Sequence, residues 1–284
     1  MITIREPHHM QETAIRLRIE GRRIGVVPTM GALHEGHCAL IRRARECADI
    51  VVTTIFVNPT QFAAGEDLSR YPRPFEDDVR KAESSGADYV FAPSVETMYP
   101  SGFSTSVVVE GVTSVLEGAF RPTHFKGVTT VVAKLFQLTL PHVAVFGQKD
   151  GQQVAVIRKM IADLNIPVDL DIVPTIRESD GLALSSRNVY LSAEHRAEAP
   201  ILYRAMVLAS EMIGGGERSA DVIRREVIRT ITSGSSAVVD YVSVADAGTL
   251  VEASVIVPGQ SLMLSLAARF GTTRLIDNIL LQSS

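Results

Sequence analysis

The chain has 284 residues, 46% of them hydrophobic, which is enough for one large domain or two unequal ones with a substantial core. Lys and Arg number 28 against 32 Asp and Glu, a net charge of −4, so nothing global draws the chain to nucleic acid or anionic membrane and any anion site must be built locally. The opening MITIREPHHM lacks the apolar core of a secretory signal, and no apolar run approaches membrane-spanning length, which predicts a cytoplasmic protein.

In chain order, Ile24 to Val27 reads as a strand, about Gly36 to Ala48 as a helix, Ile50 to Val57 as a strand, and Phe75 to Ser85 as a helix. That alternation predicts a parallel sheet covered by helices. In the first helix Leu40, Ile41, Ala44, Cys47 and Ala48 share a face, leaving Arg42, Arg43, Arg45 and Glu46 mostly on a solvated one. Cys38 and Cys47, the only cysteines, fall on opposite faces of that helix; they can neither bridge nor pair around a metal, and read as small semi-apolar residues. Tyr89 to Ala92 and Val143 to Phe146 read as buried strands. The stripe Val128, Val131, Val132, Leu135 and Phe136 has helical spacing despite its β-branching. A clearer helix follows Asp150, with Val154, Ile157, Ile161 and Leu164 inward, Asp150 placed to cap it, and Asn165-Ile-Pro167 ending it.

A strand near Val168 to Val173 leads into a polar segment, Arg177 to Asn188, which marks a domain boundary. Residues 1–175 form the parallel-sheet domain, and residues 176–284 a smaller α+β lid. The lid is expected to hold helices at about Ala193 to Ile213 and Ser219 to Thr232, with Gly214-Gly-Gly216 between them, then strands at Val238 to Ala245, Ser261 to Arg269 and Thr273 to Leu280.

The chemistry concentrates where strands give way to helices. Pro28-Thr-Met30-Gly31-Ala32-Leu33-His34-Glu35-Gly36-His37 sets two imidazoles three residues apart on a glycine-bearing turn, with the free amides of the following helix facing the end of the sheet. Helix starts of this kind bind anions, and the two rings can donate to phosphate oxygens as charge shifts. Capping or core histidines are the plain alternative. Asn58-Pro-Thr-Gln61-Phe62 closes the second strand, where an open parallel sheet presents its ligand crevice; taken alone, Gln61 reads as an ordinary turn residue. Gly147-Gln148-Lys149-Asp150 repeats the strand-to-helix geometry and adds a mobile cation. Leu184-Ser185-Ser186-Arg187 offers hydroxyls and a guanidinium to a polyphosphate. No cysteine or serine sits in a nucleophile-plus-base arrangement, so catalysis by positioning and charge stabilisation is expected.

The HxGH motif at His34 to His37 belongs to the nucleotidyltransferase superfamily, and the chain as a whole resembles the pantothenate synthetases (pantoate-beta-alanine ligases). The resemblance rests on PTMGALHEGH at 28 to 37, FVNPTQF at 56 to 62, HFKGVTTVVAKLF at 124 to 136, FGQKD at 146 to 150 and DGLALSSRN at 180 to 188. It implies a Rossmann-like α/β domain with a lid, a homodimer, and a two-step ligation of pantoate and beta-alanine through pantoyl adenylate, using ATP with Mg²⁺ and releasing AMP and pyrophosphate. It implies that His34, His37 and Lys149 are catalytic. ATP contacts would come from Met30 to His37, Gly147 to Asp150, Ile176 through its backbone, and Leu184 to Arg187. Gln61, Gln153 and Asn58 would serve pantoate and beta-alanine, with Arg121 and His124 as second choices. No carboxylate cluster points to a protein-only metal site.

Two positions depart from the family's pattern. Gly151 stands where an aromatic residue is common, which could loosen the helix bearing Gln153, and Thr123 stands where glycine is usual. Two other readings compete: a nucleotidyltransferase with another acceptor, and a catalytically silent nucleotide-binding protein. The neutral pair Gln61 and Gln153 argues against a phosphorylated acceptor. His34, His37, Lys149, Ser185, Ser186 and Arg187 together argue against silence.

Overall fold

A computed structural model of the chain describes residues 1–63 and 67–282. They form two units, Met1–Gly147 with Val156–Val173, and Gln148–Ala155 with Pro174–Ser284.

The first unit runs β1 (Ile2–Ile4), α1 (Pro7–Ile19), β2 (Ile24–Thr29), α2 (Glu35–Cys47), β3 (Ile50–Ile55), α3 (Phe75–Ser84), β4 (Tyr89–Phe91), the short α4 (Val95–Met98) and α5 (Glu117–Phe120), α6 (His124–Thr139), β5 (Val143–Gly147), most of α7 (Gly151–Asp163), and β6 (Asp169–Val173). Six strands make one sheet in the order β1-β4-β3-β2-β5-β6, every pairing parallel. Strands β2, β3 and β4 step outward in one direction while β5 and β6 lie on the other side of β2. The order therefore reverses between β2 and β5, the point at which open α/β sheets bind ligands beyond their carboxyl ends.

Burial follows the expected stripes in most places. Val27, Val51, Val90, Val143 and Val145 of the strands pack with Leu40, Ile41 and Ala44 of α2. In α6 the threonines hide among apolar neighbours because their hydroxyls donate to carbonyls one turn back: Thr129 to Phe125 at 2.8 Å, Thr130 to Lys126 at 2.7 Å and Thr139 to Leu135 at 2.8 Å. The arginines of α2 lie largely at the surface and each finds a carboxylate, Arg42 with Glu35, Arg43 with Asp171 and Arg45 with Asp88. Cys38 is buried; the Cys47 thiol is turned toward Asp171 at 3.6 Å, and burial followed by that carboxylate pushes its pKa up.

Several expectations need correction. β2 continues through Pro28 to Thr29 and pairs with β3 as far as Ile55; Pro28 is accommodated because the ladder to β5 reaches only Val26. Leu164 does not join the core. It follows the last residue of α7 and is 55% exposed, while Met160 is buried. The hydrophobic pattern does not announce β1 or α1. The three-residue β1 is a sheet edge, and α1 buries only Met10, Thr13, Ala14 and Leu17, too thin a stripe to stand out.

The second unit holds α8 (Ala193–Glu198), α9 (Ile201–Gly214), α10 (Ala220–Gly234), β7 (Val238–Asp246), β8 (Ser261–Phe270) and β9 (Thr273–Gln282). Its sheet is antiparallel in the order β7-β8-β9. The single helix expected over Ala193 to Ile213 is two, because Pro200 has no N–H to give a continuing helix; it stands instead as the N-cap of α9. Leu262, Leu264, Leu266, Ala268 and Phe270 face the core shared with α9 and α10. Met263, on the other face of β8, is covered by Gln148 and Gly151, which belong to this unit. A single boundary at 175/176 does not anticipate that excursion. Among the described residues no helix is long and apolar enough to cross a membrane.

Candidate active site

After β2 the backbone turns through Gly31 and Ala32, both at positive φ (83° and 51°). For alanine the left-handed conformation costs about 1–2 kcal/mol. The turn is stabilised by α3: the buried Asp78 carboxylate accepts from Ala32 N–H at 2.8 Å and Leu33 N–H at 2.6 Å, and Lys81 Nζ donates to Leu33 O at 2.8 Å. Hydrogen bonds to a charged group contribute about 1.5–3 kcal/mol each, so the two to Asp78 outweigh the strain at Ala32. Burial raises the Asp78 pKa, and the Leu33 and Ala32 amides oppose that shift. Gly31 leaves room for this grip, since a Cβ there would sit 2.9 Å from Asp78 Oδ2.

His34 is the N-cap of α2. Its Nδ1 accepts from Gly36 N–H at 3.1 Å, and His37 Nδ1 accepts from His34 N–H at 3.3 Å, so the two imidazoles form a reciprocal capping box. The ring centroids are 4.1 Å apart. The capping alternative and the ligand-binding reading are therefore compatible: using Nδ1 as acceptor fixes the tautomer, and each neutral ring carries its N–H donor at Nε2. The free amides expected around this turn are mostly engaged, at Ala32, Leu33, His34 and Gly36. What remains to the turn's backbone for an anion is the positive end of α2.

Gln61 lies beside this turn. Its Nε2 donates to Met30 Sδ at 2.9 Å and its Oε1 accepts from Asn58 Nδ2 at 3.0 Å. Asn58 is 1% exposed and fully occupied: Nδ2 also donates to Gly127 O, and Oδ1 accepts from Thr60 N–H, Thr60 Oγ1 and Tyr99 OH. Its hydrogen-bonding capacity is spent on shaping the loop. The Gln61 carbonyl accepts from Arg121 Nη2 at 3.0 Å and His124 Nδ1 at 2.8 Å. Gly127 lets α6 approach, because a Cβ there would lie 2.4 Å from Thr60 O.

In the second unit, Gln148–Asp150 form a 3-10 turn leading straight into α7, with Lys149 Nζ 3.6 Å from Asp150 Oδ1. Asn278 of β9 donates from Nδ2 to both Gln148 O and Lys149 O at 2.9 Å, and accepts from Gln148 Nε2 at 2.8 Å. Gly151 is not a loose point. A Cβ there would meet Met263 Sδ at 2.7 Å and Asn278 Oδ1 at 2.8 Å. Gln153 follows in the first turn of α7, half-buried. Ile176 and Leu184 meet, Leu184 N–H donating to Ile176 O at 3.0 Å. Ser185 Oγ caps the 3-10 turn Ser186–Tyr190 by accepting from Arg187 N–H at 3.2 Å.

Within their own units the sequence-derived residues thus gather as Met30 to His37 with Gln61 and Asn58, as Gln148 to Asp150 leading to Gln153, and as Ile176 with Leu184 to Arg187. Gly147 ends β5. Leu33 is a core residue whose side chain is buried against the sheet, and Glu35 pairs with Arg42. Sequence reasoning missed Asp78 and Asn278. Asp78 shares a helical stripe with Phe75 and Ala82, so a charged residue on an apolar face was the available signal.

A family model described as pantoate-beta-alanine ligase matches residues 2–280. The pantothenate synthetase of Acetivibrio thermocellus is 53% identical over 262 residues, 92% of each chain. That of Chlorobium chlorochromatii is 48% identical over 281 residues, 99% of this chain and 97% of the relative. Among solved structures, the pantothenate synthetase of Thermus thermophilus superposes with a TM-score of 0.91 at 46% identity, covering 98% of this chain and 99% of that one. The Francisella tularensis pantoate-beta-alanine ligase, complexed with beta-gamma ATP and beta-alanine, gives 0.80 at 32% identity, covering 99% and 97%. Matching end to end in sequence and fold, with the histidine turn and the glutamine loop formed as described, the chain belongs to the pantoate-beta-alanine ligase family.

Proposed function

We propose that the chain performs the ligation its family is named for in two steps. A pantoate carboxylate oxygen attacks the α-phosphorus of MgATP, the bond to the β-phosphate breaks, and pyrophosphate leaves. The uncharged amine of beta-alanine then attacks the acyl carbon of pantoyl adenylate, the acyl C–O bond breaks, and AMP departs. The supporting observation is the capping box. It fixes the orientation of both imidazoles at the start of α2, on the same turn whose Met30 accepts from the Gln61 amide. Donors held in place before the reaction stabilise charge that develops on phosphate oxygens without reorganising.

In this reading His34 and His37 serve the α- and β-phosphates, Lys149 neutralises the β- and γ-phosphates, and Ser185, Ser186 and Arg187 close over them. Gly147, Gln148, Asp150, Ile176 and Leu184 contribute mainly backbone to the nucleotide. Gln61 and Gln153 hold pantoate, with beta-alanine nearby, and Asn58 acts by aiming Gln61. Residues 1–175, apart from Gln148–Ala155, which cluster with the second unit, carry the pantoate and α-phosphate machinery, while residues 176–284 act as the lid. Mg²⁺ enters with the triphosphate as part of the substrate; among the described residues no group of three or more His, Cys, Asp or Glu is placed to hold a metal. Cytoplasmic action, expected from the amino-acid pattern, and a homodimer, implied by the resemblance, complete the proposal, and fractionation and sedimentation velocity test them.

The deciding assay supplies ATP with pantoate and beta-alanine, separately and together. Sustained formation of AMP and pyrophosphate only when both acid and amine are present is expected. ADP as product, or no turnover with both, overturns the reading.

A further inference from the structure

Two adjacent polar residues, Asp277 and Asn278, interrupt the apolar run of β9, and each is 4% exposed. Each is fully employed. Asn278 spends both Nδ2 protons on the carbonyls of Gln148 and Lys149 and its Oδ1 on the Gln148 side chain. Asp277 Oδ1 accepts from the backbone N–H of Asn278 at 2.8 Å, and the carboxylate takes a two-pronged bond from Arg177 at 2.6 and 3.0 Å. Arg177 also donates to Gly181 O at 3.1 Å, and its guanidinium lies over the Tyr203 ring at 4.0 Å. Burying these groups is costly unless every partner is present. Asp277 shares its face of β9 with Leu275, Ile279 and Leu281 of the lid's core, whereas Asn278 points from the opposite face, where that core does not call for it.

The geometry points to Asn278 as a positioning residue for Lys149: it clamps the carbonyls of the Gln148-Lys149 turn, and the Arg177–Asp277 pair anchors it. Two carbonyls fixed by one amide set the direction in which the Lys149 side chain leaves the backbone. Gly151 completes the device, since only a residue without a Cβ lets the Asn278 amide come this close. The inference rests on Lys149 serving the ATP phosphates.

A double-mutant cycle tests it. Asn278→Ala is expected to lower kcat/KM for ATP about tenfold, the worth of lost positioning bonds, but to cost little more once Lys149→Ala is present. Gly151→Ala gives a second route that does not remove the clamp. Its Cβ, 2.8 Å from Asn278 Oδ1, displaces that amide and strains its buried hydrogen bonds, so kcat/KM for ATP should fall in an enzyme that still folds but melts at a lower temperature. Losses that multiply in the Lys149→Ala, Asn278→Ala enzyme, or a Gly151→Ala enzyme of unaltered kcat/KM for ATP, overturn the positioning role and leave the Lys149 assignment standing. A Lys149→Ala enzyme with unchanged kcat/KM for ATP overturns both.

Discussion

The two histidines do structural and chemical work with different atoms. Nδ1 of each ring is committed to the capping box, so removing His37 costs a cap as well as a donor. His37→Ala should lower kcat far more than it weakens ATP binding, because a donor to developing charge gains most in the transition state. Equal losses in kcat and in ATP affinity, measured by kinetics and by calorimetry, would contradict that. Asp78 bears on the same turn from α3. Asp78→Asn keeps its shape but removes one of the two acceptors, leaving a buried N–H worth about 1–3 kcal/mol unsatisfied. A lower melting temperature and a reduced kcat are expected together; a fall in neither would show that the turn holds itself. Gly127→Ala tests the glutamine loop: its Cβ strikes the Thr60 carbonyl, so the KM for pantoate should rise about tenfold or more while ATP binding is retained. The histidine turn stands out in the sequence because its residue types and spacing announce a phosphate-binding helix start locally, whereas Gln61 and Lys149 are singled out by the family resemblance. Asp78 and Asn278 do not stand out, because their partners lie 45 and 130 residues away.

At the scale of elements, hydrophobic periodicity reached the central strands and the helices with broad buried faces, and failed where a stripe was thin or a proline intervened. The pattern predicts a strand that ends at Val27 and turns at Pro28, yet β2 runs through Pro28 to Thr29, since a neighbour that pairs only as far as Val26 asks nothing of its missing N–H. Pro200 sits in a pattern periodic enough to read as one helix, and there the backbone chemistry prevails over the pattern. The start of β5 carries a pH dependence of its own. His142 Nδ1 accepts from Ile24 N–H at 3.0 Å, and burial, then repulsion from Arg18 and Arg23, lowers its pKa below the ordinary 6.5. Between the lowered value and 6.5 the unfolded chain binds a proton that the folded chain does not. The contribution of His142 is therefore full above 6.5 and is lost as the pH falls toward the folded value. Melting temperatures compared at about pH 8 and about pH 5.5 should fall on acidification, and less so in His142→Gln, whose side-chain oxygen still accepts from Ile24. Equal slopes in both proteins would assign the effect elsewhere.

For the whole molecule, the chain's composition and alternating pattern were enough for an α/β architecture with a second, smaller unit. They could not show that Gln148–Ala155 belong with that second unit, because membership there is decided by Asn278 and Met263, which arrive over a hundred residues later. The segment that follows β5 is also the one that carries Lys149 and Gln153. The central claim of the proposed reaction is the intermediate that passes between the two half-reactions. Pantoate labelled with ¹⁸O in its carboxylate tests that claim most directly. If the carboxylate attacks the α-phosphorus, one labelled oxygen leaves with the nucleotide, and mass spectrometry should find AMP carrying a single ¹⁸O for each pantothenate formed. Unlabelled AMP, or label in inorganic phosphate alongside ADP, would contradict the adenylate route.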